Sequence, residues 1–297
     1  DGGSTYACTM RSLGVVFQPA FEPERMLGFA KAADAAGVPE LWLWEDCFRE
    51  SGIASATAIL ASTPRIRVAI GVLPLPLRNV ALTAMELATI ERLFPGRLIA
   101  GFGHGVQDWM GQVGARVTSP LTLMREAVPA LRALLEGETV TVDGRYVQLD
   151  AVALDWPPVT APTILAAGEG PKTLALAGEL ADGTVIPSGW GVERFATAAA
   201  ATRAGAGDRG HDHGVSVFLL TAFGDDRGPL DADLRAYPPT ADQASAAGSP
   251  ADIAEAAEAY FAAGATSVVL QPASTEPDLD GFASRAGEVA EMLGLRA

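Results

Sequence analysis

Two kinds of hydrophobic pattern alternate along the chain: short, nearly continuous apolar runs, and segments whose apolar residues recur every three or four positions. The runs are typical of parallel strands buried on both faces, and the spaced segments are typical of amphipathic helices. Near the start, SLGVVF (12–17) predicts a strand, a helix begins near Pro23 and ends at Gly37, and ELWLW (40–44) predicts the next strand. This helix–glycine–strand unit is typical of βα architecture.

Eight strands are predicted in this way. They lie at 12–17, 40–44, 66–72, 98–102, 163–167, 183–187, 215–222 and 266–271. Eight strands alternating with helices in a chain of 297 residues indicate an α/β fold, a (β/α)8 TIM barrel. An open, doubly wound sheet is the structural alternative. We expect a single barrel domain over residues 10–297, with residues 1–9 as an extension in front of it.

The longest gap between predicted strands lies between the fourth and the fifth, and it indicates an inserted segment. A helix comes first, with apolar positions Leu121, Met124, Val128, Leu131 and Leu135. After it, TVTVDGRYVQL (139–149) places Asp-Gly between alternating runs, which predicts a β-hairpin. Two later glycine-rich stretches are predicted to be irregular: a flexible loop at 203–214, and a loop or lid over one face at 224–248.

Charge and cysteine content narrow the function classes. The net charge of −15 excludes nucleic acid or an anionic membrane as the main partner, because no basic surplus exists to displace counterions. It leaves room for one phosphorylated small ligand. Cys8 and Cys47 provide no disulfide framework and no cysteine-rich zinc site, and the pair His211 and His213 lacks further ligands, so no metal is expected. No signal peptide and no membrane-spanning run are present, so a cytoplasmic enzyme is expected.

In a barrel of this type, ligands bind at the carboxyl ends of the strands. The segments that follow strands two to six are WEDC (44–47), GVLPLPLRN (71–79), GFGHGVQDWMGQ (101–112), GEGPK (168–172) and PSGWG (187–191). Glycines there allow close approach of a ligand to the backbone, and tryptophan offers a flat wall. N–H groups at 168–172 open a helix and attract an anion. This combination of glycines, tryptophan and helix-start N–H groups suits a flat aromatic ligand with a phosphate tail.

Each of these candidate site residues also has a purely structural interpretation. Gly168 and Gly170 fit a tight turn before a helix, and His104 fits an ordinary loop residue between glycines. Asp46 fits a helix cap. Cys47 fits a small packed side chain, since no histidine adjoins it in sequence.

Taken together, three stretches resemble the bacterial-luciferase-like superfamily, especially its deazaflavin (coenzyme F-420)-dependent branch. They are ERMLGFAKAADAAGVPELWLWEDCF (24–48), RIRVAIGVLPLPLRNVALTAMELATIERLFPGRLIAGFGHG (65–105) and AAGEGPKTLALAGELADG (166–183). The resemblance implies a barrel that binds F-420 or FMN, with a cis peptide bond at Gly71–Val72 behind the ring. The cofactor residues that it implies are Gly71, Val72, Gly103, Gly168, Glu169, Gly170, Ser188 and Gly189.

The chain departs from this branch at two positions. Relatives that oxidise a secondary alcohol or a sugar phosphate carry Asp-His after strand two, where this chain has Asp46-Cys47. Sugar-phosphate dehydrogenases carry a glutamate after the Gly-x-Gly of strand four, where this chain has Val106. The usual acid/base pair is therefore incomplete. His104 is the best remaining proton carrier, with Asp46 and Glu45 behind it.

The leading hypothesis is an oxidoreductase that transfers a hydride between C5 of the deazaflavin and a small organic substrate, in the direction of reducing an activated C=C or C=N bond. His104 and Asp46 are the catalytic candidates, and Trp44, Cys47 and Trp109 are expected on the substrate side. An FMN-dependent luciferase-like monooxygenase, supplied with reduced flavin by a partner reductase, is the first alternative. A non-catalytic deazaflavin-binding protein is the second. A homodimer is possible by analogy with relatives.

Overall fold

A computed structural model describes residues 10–235 and 244–297, and the predictions that fall on residues 1–9 lie outside the described chain. The strands, in chain order, are β1 (Ser12–Phe17), β2 (Glu40–Leu43), β3 (Arg67–Pro74), β4 (Leu98–Gly103), β5 (Val140–Asp143), β6 (Gln148–Val152), β7 (Thr163–Ala167), β8 (Gly183–Ile186), β9 (Gly214–Phe223), β10 (Ser245–Gly248) and β11 (Ser267–Pro272). Eight of these strands form a closed parallel barrel in the order β11-β1-β2-β3-β4-β7-β8-β9, in which β9 pairs back onto β11. The predicted (β/α)8 barrel is confirmed.

Helices follow most of the strands. They are α1 (Met26–Ala35), α2 (Gly52–Ser62), α3 (Val80–Leu93), α4 (Gln107–Gln112), α5 (Pro120–Leu135), α6 (Pro171–Leu180), α7 (Val192–Gly205), α8 (Gly228–Leu234), α9 (Pro250–Ala262) and α10 (Leu279–Met292). Their apolar faces pack on the outside of the barrel in one large core. No helix in the described part of the chain is both long and apolar enough to cross a membrane.

Inward-facing side chains fill the barrel. Those in the buried inner cluster are Val16, Trp42, Ala69, Ile99, Leu165, Val185, Phe218 and Val269. At the amino-terminal end of the barrel, Glu40 accepts hydrogen bonds from Trp42 Nε1 (2.9 Å) and Ser267 Oγ (2.8 Å). The barrel is thus closed and packed at one end, so a ligand site must lie at the other.

The insertion between β4 and β7 contains the predicted helix and hairpin, as α5 and the antiparallel pair β5–β6. Residues 144–147 separate its strands, so the turn of the predicted hairpin has four residues and is longer than the shortest, two-residue hairpin turns. One carboxylate holds this longer turn: Glu126 of α5 accepts hydrogen bonds from the N–H groups of Arg145 (3.0 Å), Tyr146 (2.8 Å) and Val147 (3.0 Å).

The two stretches predicted to be irregular are more ordered than expected. In the first, α7 continues to Gly205, a short 3-10 turn follows at Gly207–Arg209, and β9 begins at Gly214. The second contains α8 and β10, and β10 pairs in parallel with the outer end of β9 from Leu220 to Phe223. The part of this predicted lid at 236–243 lies outside the described residues.

His213 is expected to make the fold sensitive to acid. Its ring is 2% exposed, and Nε2 contacts the hydroxyls of Thr184 (2.8 Å) and Thr202 (3.2 Å). Burial, reinforced by the positive charges of Arg209 and Arg203, lowers the pKa of His213 from 6.5 to about 4. Below pH 6.5 the unfolded chain therefore gains a proton that the folded chain resists, and stability falls until about pH 4. The loss amounts to about 3 kcal/mol.

Chemical denaturation between pH 7 and pH 4 measures this loss. His213→Gln keeps a donor near the two hydroxyls but cannot titrate, so its stability should depend less on pH. His211→Gln is the matched control, because His211 is exposed and pairs only with Asp212. Equal pH dependence in His213→Gln and the wild type would contradict the assignment.

Candidate active site

A cavity of about 280 Å³ opens at the carboxyl ends of the barrel strands. The lining residues come from β2, β3, β4, β7, β8 and β9 and from the segments that follow them. They are Trp44, Glu45, Asp46, Gly71, Val72, Pro74, Gly103, His104, Gly105, Val106, Trp109, Ala167, Gly168, Glu169, Val185, Pro187, Ser188 and Phe218. Most residues predicted from separate parts of the sequence therefore meet in one place. Pro74, Val185, Pro187 and Phe218 were not singled out from the sequence.

The floor of the cavity is a bulge in β3. The Gly71–Val72 peptide bond is cis, as the resemblance implies, and the pairing of β3 with β4 shifts register between Ile70 and Leu73. A Cβ on Gly71 would lie 2.8 Å from the Trp42 ring, and a Cβ on Gly103 would lie 2.7 Å from Val72 Cγ2. Both glycines are therefore required by packing. Val72, between them in space, lines the cavity.

The carboxylates that follow β2 have different environments. Glu45 is held by Arg78, whose Nη2 donates to both carboxylate oxygens (2.7 and 2.6 Å), and it also accepts from the Gly52 N–H (2.7 Å). This network fixes Glu45 as a structural anion. The Asp46 carboxylate accepts no hydrogen bond from the described part of the chain, and the side chain that caps α2 is that of Ser51. The predicted alternative of Asp46 as a helix cap is therefore wrong.

Burial is the main influence on the Asp46 carboxyl. It raises the pKa of Asp46 above its ordinary value of 3.8, Arg49 opposes this rise, and Glu50 adds to it. A half-buried acid without hydrogen-bond donors, facing a cavity, holds its proton more tightly than a solvated one. Asp46 is therefore suited to proton transfer.

His104 follows β4 and also lines the cavity. Its ring is exposed, and Nδ1 lies 3.0 Å from its neighbour's carbonyl oxygen, that of Gly105. A proton on Nδ1 would satisfy that contact and leave Nε2 free as an acceptor. Trp109, on α4, also lines the cavity. Phe218 packs edge-on against Trp44 across the cavity, with ring centroids 5.3 Å apart.

Two helices present free N–H groups beside this cavity. Side chains cap α2, α3, α9 and α10, through Ser51, Asn79, Ser249 and Asp278. The N-cap residues of α6 and α7 are Gly170 and Gly191, and neither helix has a side-chain cap, as is also the case for α1, α4, α5 and α8. The two helices pack closely, since a Cβ on Gly178 would lie 1.9 Å from the Thr202 carbonyl oxygen. Both helices follow barrel strands, so their N-termini lie at the carboxyl end of the barrel, where the N–H groups of each first turn suit an anion.

Gly170 is a glycine that the fold itself does not require. Its backbone is extended (φ −82°, ψ 153°), and a Cβ there would meet nothing within 4 Å. Gly168 differs, because a Cβ there would lie 3.1 Å from the side chain of Thr173. The open space at Gly170 fits a group that approaches the start of α6 from outside.

Three predicted site residues lie outside the lining of the cavity: Cys47, Gly170 and Gly189. The peptide bond after Cys47 is also cis. Burial, with Glu45 and Asp46 nearby, raises the pKa of the Cys47 thiol, which favours its neutral form. Gly189 has a φ of +80°, a backbone conformation that favours glycine.

No metal site is present in residues 10–235 and 244–297, where no cluster of three or more His, Cys, Asp or Glu side chains could hold an ion.

A family model described as luciferase-like monooxygenase matches residues 6–269. The chain belongs to this luciferase-like family. The predicted superfamily is thus confirmed. A 5,10-methylenetetrahydromethanopterin reductase of Methanolobus tindarius is 26% identical over 287 residues, which cover 95% of this chain and 82% of the relative. An F-420-dependent glucose-6-phosphate dehydrogenase of Kineococcus radiotolerans is 30% identical over 260 residues, with 80% and 76% covered.

Solved structures agree on the fold of this luciferase-like chain. The F-420-dependent tetrahydromethanopterin reductase of Methanopyrus kandleri superposes with a TM-score of 0.81 at 18% identity, covering 97% of this chain and all of the other. An F-420-dependent secondary alcohol dehydrogenase superposes with a TM-score of 0.83 at 19% identity, covering 94% and 98%.

Proposed function

We propose that this luciferase-like protein is an F-420-dependent oxidoreductase that transfers a hydride between the deazaflavin and a small organic substrate. The proposal rests on two features that lie at the same end of the barrel. One is the cavity floor at Gly71–Val72, and the other is the pair of helix N-termini, of α6 and α7, that have no side-chain cap. Relatives over most of the chain are named for F-420, which supports the choice of this coenzyme.

The residues present fit such a coenzyme at both ends. Val72 and the glycines beneath it provide a surface for a flat ring, and Trp44 and Phe218 provide an apolar wall. N–H groups at the starts of α6 and α7 provide donors for a phosphate within an otherwise acidic protein. The predicted cofactor residues Gly168 and Glu169 lie between these two regions.

When bound, a deazaflavin supplies a hydride donor and acceptor at C5. The chain's own part is to orient the ring against the floor, to confine the substrate between Trp44 and Trp109, and to move a proton. Asp46 and His104 are the lining groups assigned to this step, because Glu45 is held by Arg78 and Gly52, and Glu169 is assigned to the cofactor. Positioning alone supplies much of the rate, since effective molarities reach about 10⁵ M or more.

Titration of the purified protein with F-420 and with FMN tests the choice of coenzyme. We expect micromolar binding of F-420, with quenching of tryptophan fluorescence because Trp44 and Trp109 line the cavity. Trp44→Phe should reduce the quench, while Trp156→Phe, at an exposed indole outside the cavity, should not. Binding of FMN without binding of F-420 would overturn the proposal and favour the monooxygenase alternative. The cytoplasmic location and the homodimer stay predictions.

A further inference from the structure

Two buried hydrogen bonds, from partners on β11 and α9, anchor the segment at 187–191, which precedes α7. The Ser188 hydroxyl donates to the side-chain carbonyl oxygen of Gln271, at the end of β11. The Tyr260 hydroxyl, on α9, donates to the backbone carbonyl oxygen of Trp190 at 2.6 Å. Gln271 is 1% exposed and Tyr260 is 3% exposed, and neither lines the cavity.

These two bonds fix the backbone that leads into α7. They flank Gly189, whose φ of +80° marks the sharpest bend of the segment. Trp190 is itself buried, and the guanidinium of Arg194 stacks on its ring at 3.7 Å. The anchors therefore determine where the N–H groups of the first turn of α7 point. A donor array that is already ordered loses less entropy when a ligand binds.

The bond to Gln271 also decides what the Ser188 side chain can offer. A hydroxyl has one proton, and here that proton is donated to Gln271. Toward the cavity, which Ser188 lines, the oxygen can only accept. Its side chain therefore suits an O–H or N–H of the ligand and not a phosphate oxygen. In its predicted cofactor role, the Ser188 side chain would therefore accept a hydrogen bond from the coenzyme. The phosphate would be bound by backbone N–H groups instead.

We infer that Gln271 and Tyr260 are positioning residues that set the affinity for the phosphate-bearing arm of the coenzyme without touching it. The inference rests on the proposed function, because it takes the ligand at the start of α7 to be the coenzyme phosphate. Gln271 acts through Ser188, and Tyr260 acts through the backbone at Trp190. Turnover at saturating coenzyme depends on neither.

Tyr260→Phe tests the inference, because it removes one hydroxyl and keeps the ring that packs on Phe195. Two ligands are compared: F-420, and the deazaflavin with its ribityl chain but without the phosphate. We expect the variant to bind F-420 about tenfold more weakly, and to bind the phosphate-free compound within about twofold of the wild type. The value of kcat at saturating F-420 should change by less than about twofold, so that the loss is seen in KM alone.

Tyr146→Phe is the matched control. Its hydroxyl also forms a hydrogen bond with the backbone, here by accepting the Ser119 N–H at 2.9 Å, but Tyr146 lies in the inserted hairpin. It should lose stability without loss of affinity for either ligand. Equal losses for the two ligands in Tyr260→Phe, or no loss for F-420, would overturn the inference.

A second pair of variants addresses Gln271. Gln271→Met removes the acceptor for Ser188 and should weaken F-420 about fivefold, and the Ser188→Ala/Gln271→Met double variant should be no weaker than Ser188→Ala. Additive losses would show that Gln271 does not act through Ser188. If the wild type binds FMN instead of F-420, the proposed function fails, and the same comparison with FMN and riboflavin still decides the role of the anchors.

Discussion

Gly170→Asp is expected to weaken binding of the phosphorylated coenzyme about a thousandfold while leaving the protein slightly more stable. The extended backbone of Gly170 allows any residue, and a side chain there meets no neighbour within 4 Å. An aspartate at this N-cap would accept hydrogen bonds from the N–H groups that open α6, which gains a few tenths of a kcal/mol. The same carboxylate would repel a phosphate. At about 4 Å and an effective dielectric constant near 20, that repulsion is about 4 kcal/mol for each pair of charges.

The opposite signs of the two effects make this a sharp experiment. The affinity is measured by fluorescence titration, and the stability by thermal unfolding. Gly170→Asn is the matched control, because it caps the helix without the charge and should lose only about tenfold in affinity. Gly170→Ala neither caps nor repels, and it should bind nearly as the wild type does. Wild-type affinity in Gly170→Asp would show that the phosphate does not lie at α6.

The barrel strands could be predicted because their signal is local. Each is a short apolar run bounded by polar or glycine residues, and SLGVVF is an example that appears almost unchanged as β1. The residues Ser245–Gly248 form β10 although they are small and carry little preference for a strand. They are paired because β9 extends beyond β8 and offers its free edge. Such a cause lies in the tertiary structure and has no counterpart in the local sequence.

The candidate active site likewise has a part that the local sequence predicts and a part that depends on tertiary contacts. Glycine-rich segments after the strands indicated where the cavity lies, since ligands of barrels bind at that face. The partners of the charged groups could not be predicted. Glu45 and Asp46 are adjacent in sequence, yet Arg78, which lies 33 residues further on, occupies one of them and leaves the other free. Gln271 and Ser188 are 83 residues apart, and their pairing depends on how the barrel closes.

These contacts make Asp46, and not His104, the stronger candidate for proton transfer. The sequence alone favours His104, because histidine titrates near neutral pH. In the structure the His104 side chain is exposed to solvent, so water can take over its proton transfer. Asp46 is half-buried, lacks a competing partner, and has a raised pKa. We therefore expect His104→Gln to lower kcat only about tenfold.

Asp46→Asn is expected to lower kcat about a thousandfold and to leave the affinity for the coenzyme nearly unchanged, because asparagine has the same shape but cannot carry the proton. Burial raises the pKa of Asp46 above 3.8, so the protonated form persists to higher pH than it does in a solvated aspartate. For reduction of substrate, kcat should therefore fall as the pH rises through this pKa, and that limb should vanish in Asp46→Asn. Asp108→Asn is the matched control, since Asp108 is exposed on α4 and pairs only with Arg116. Wild-type turnover in Asp46→Asn would exclude Asp46 as the proton carrier. Intact coenzyme binding without any turnover in the wild-type protein would instead favour a non-catalytic deazaflavin-binding protein.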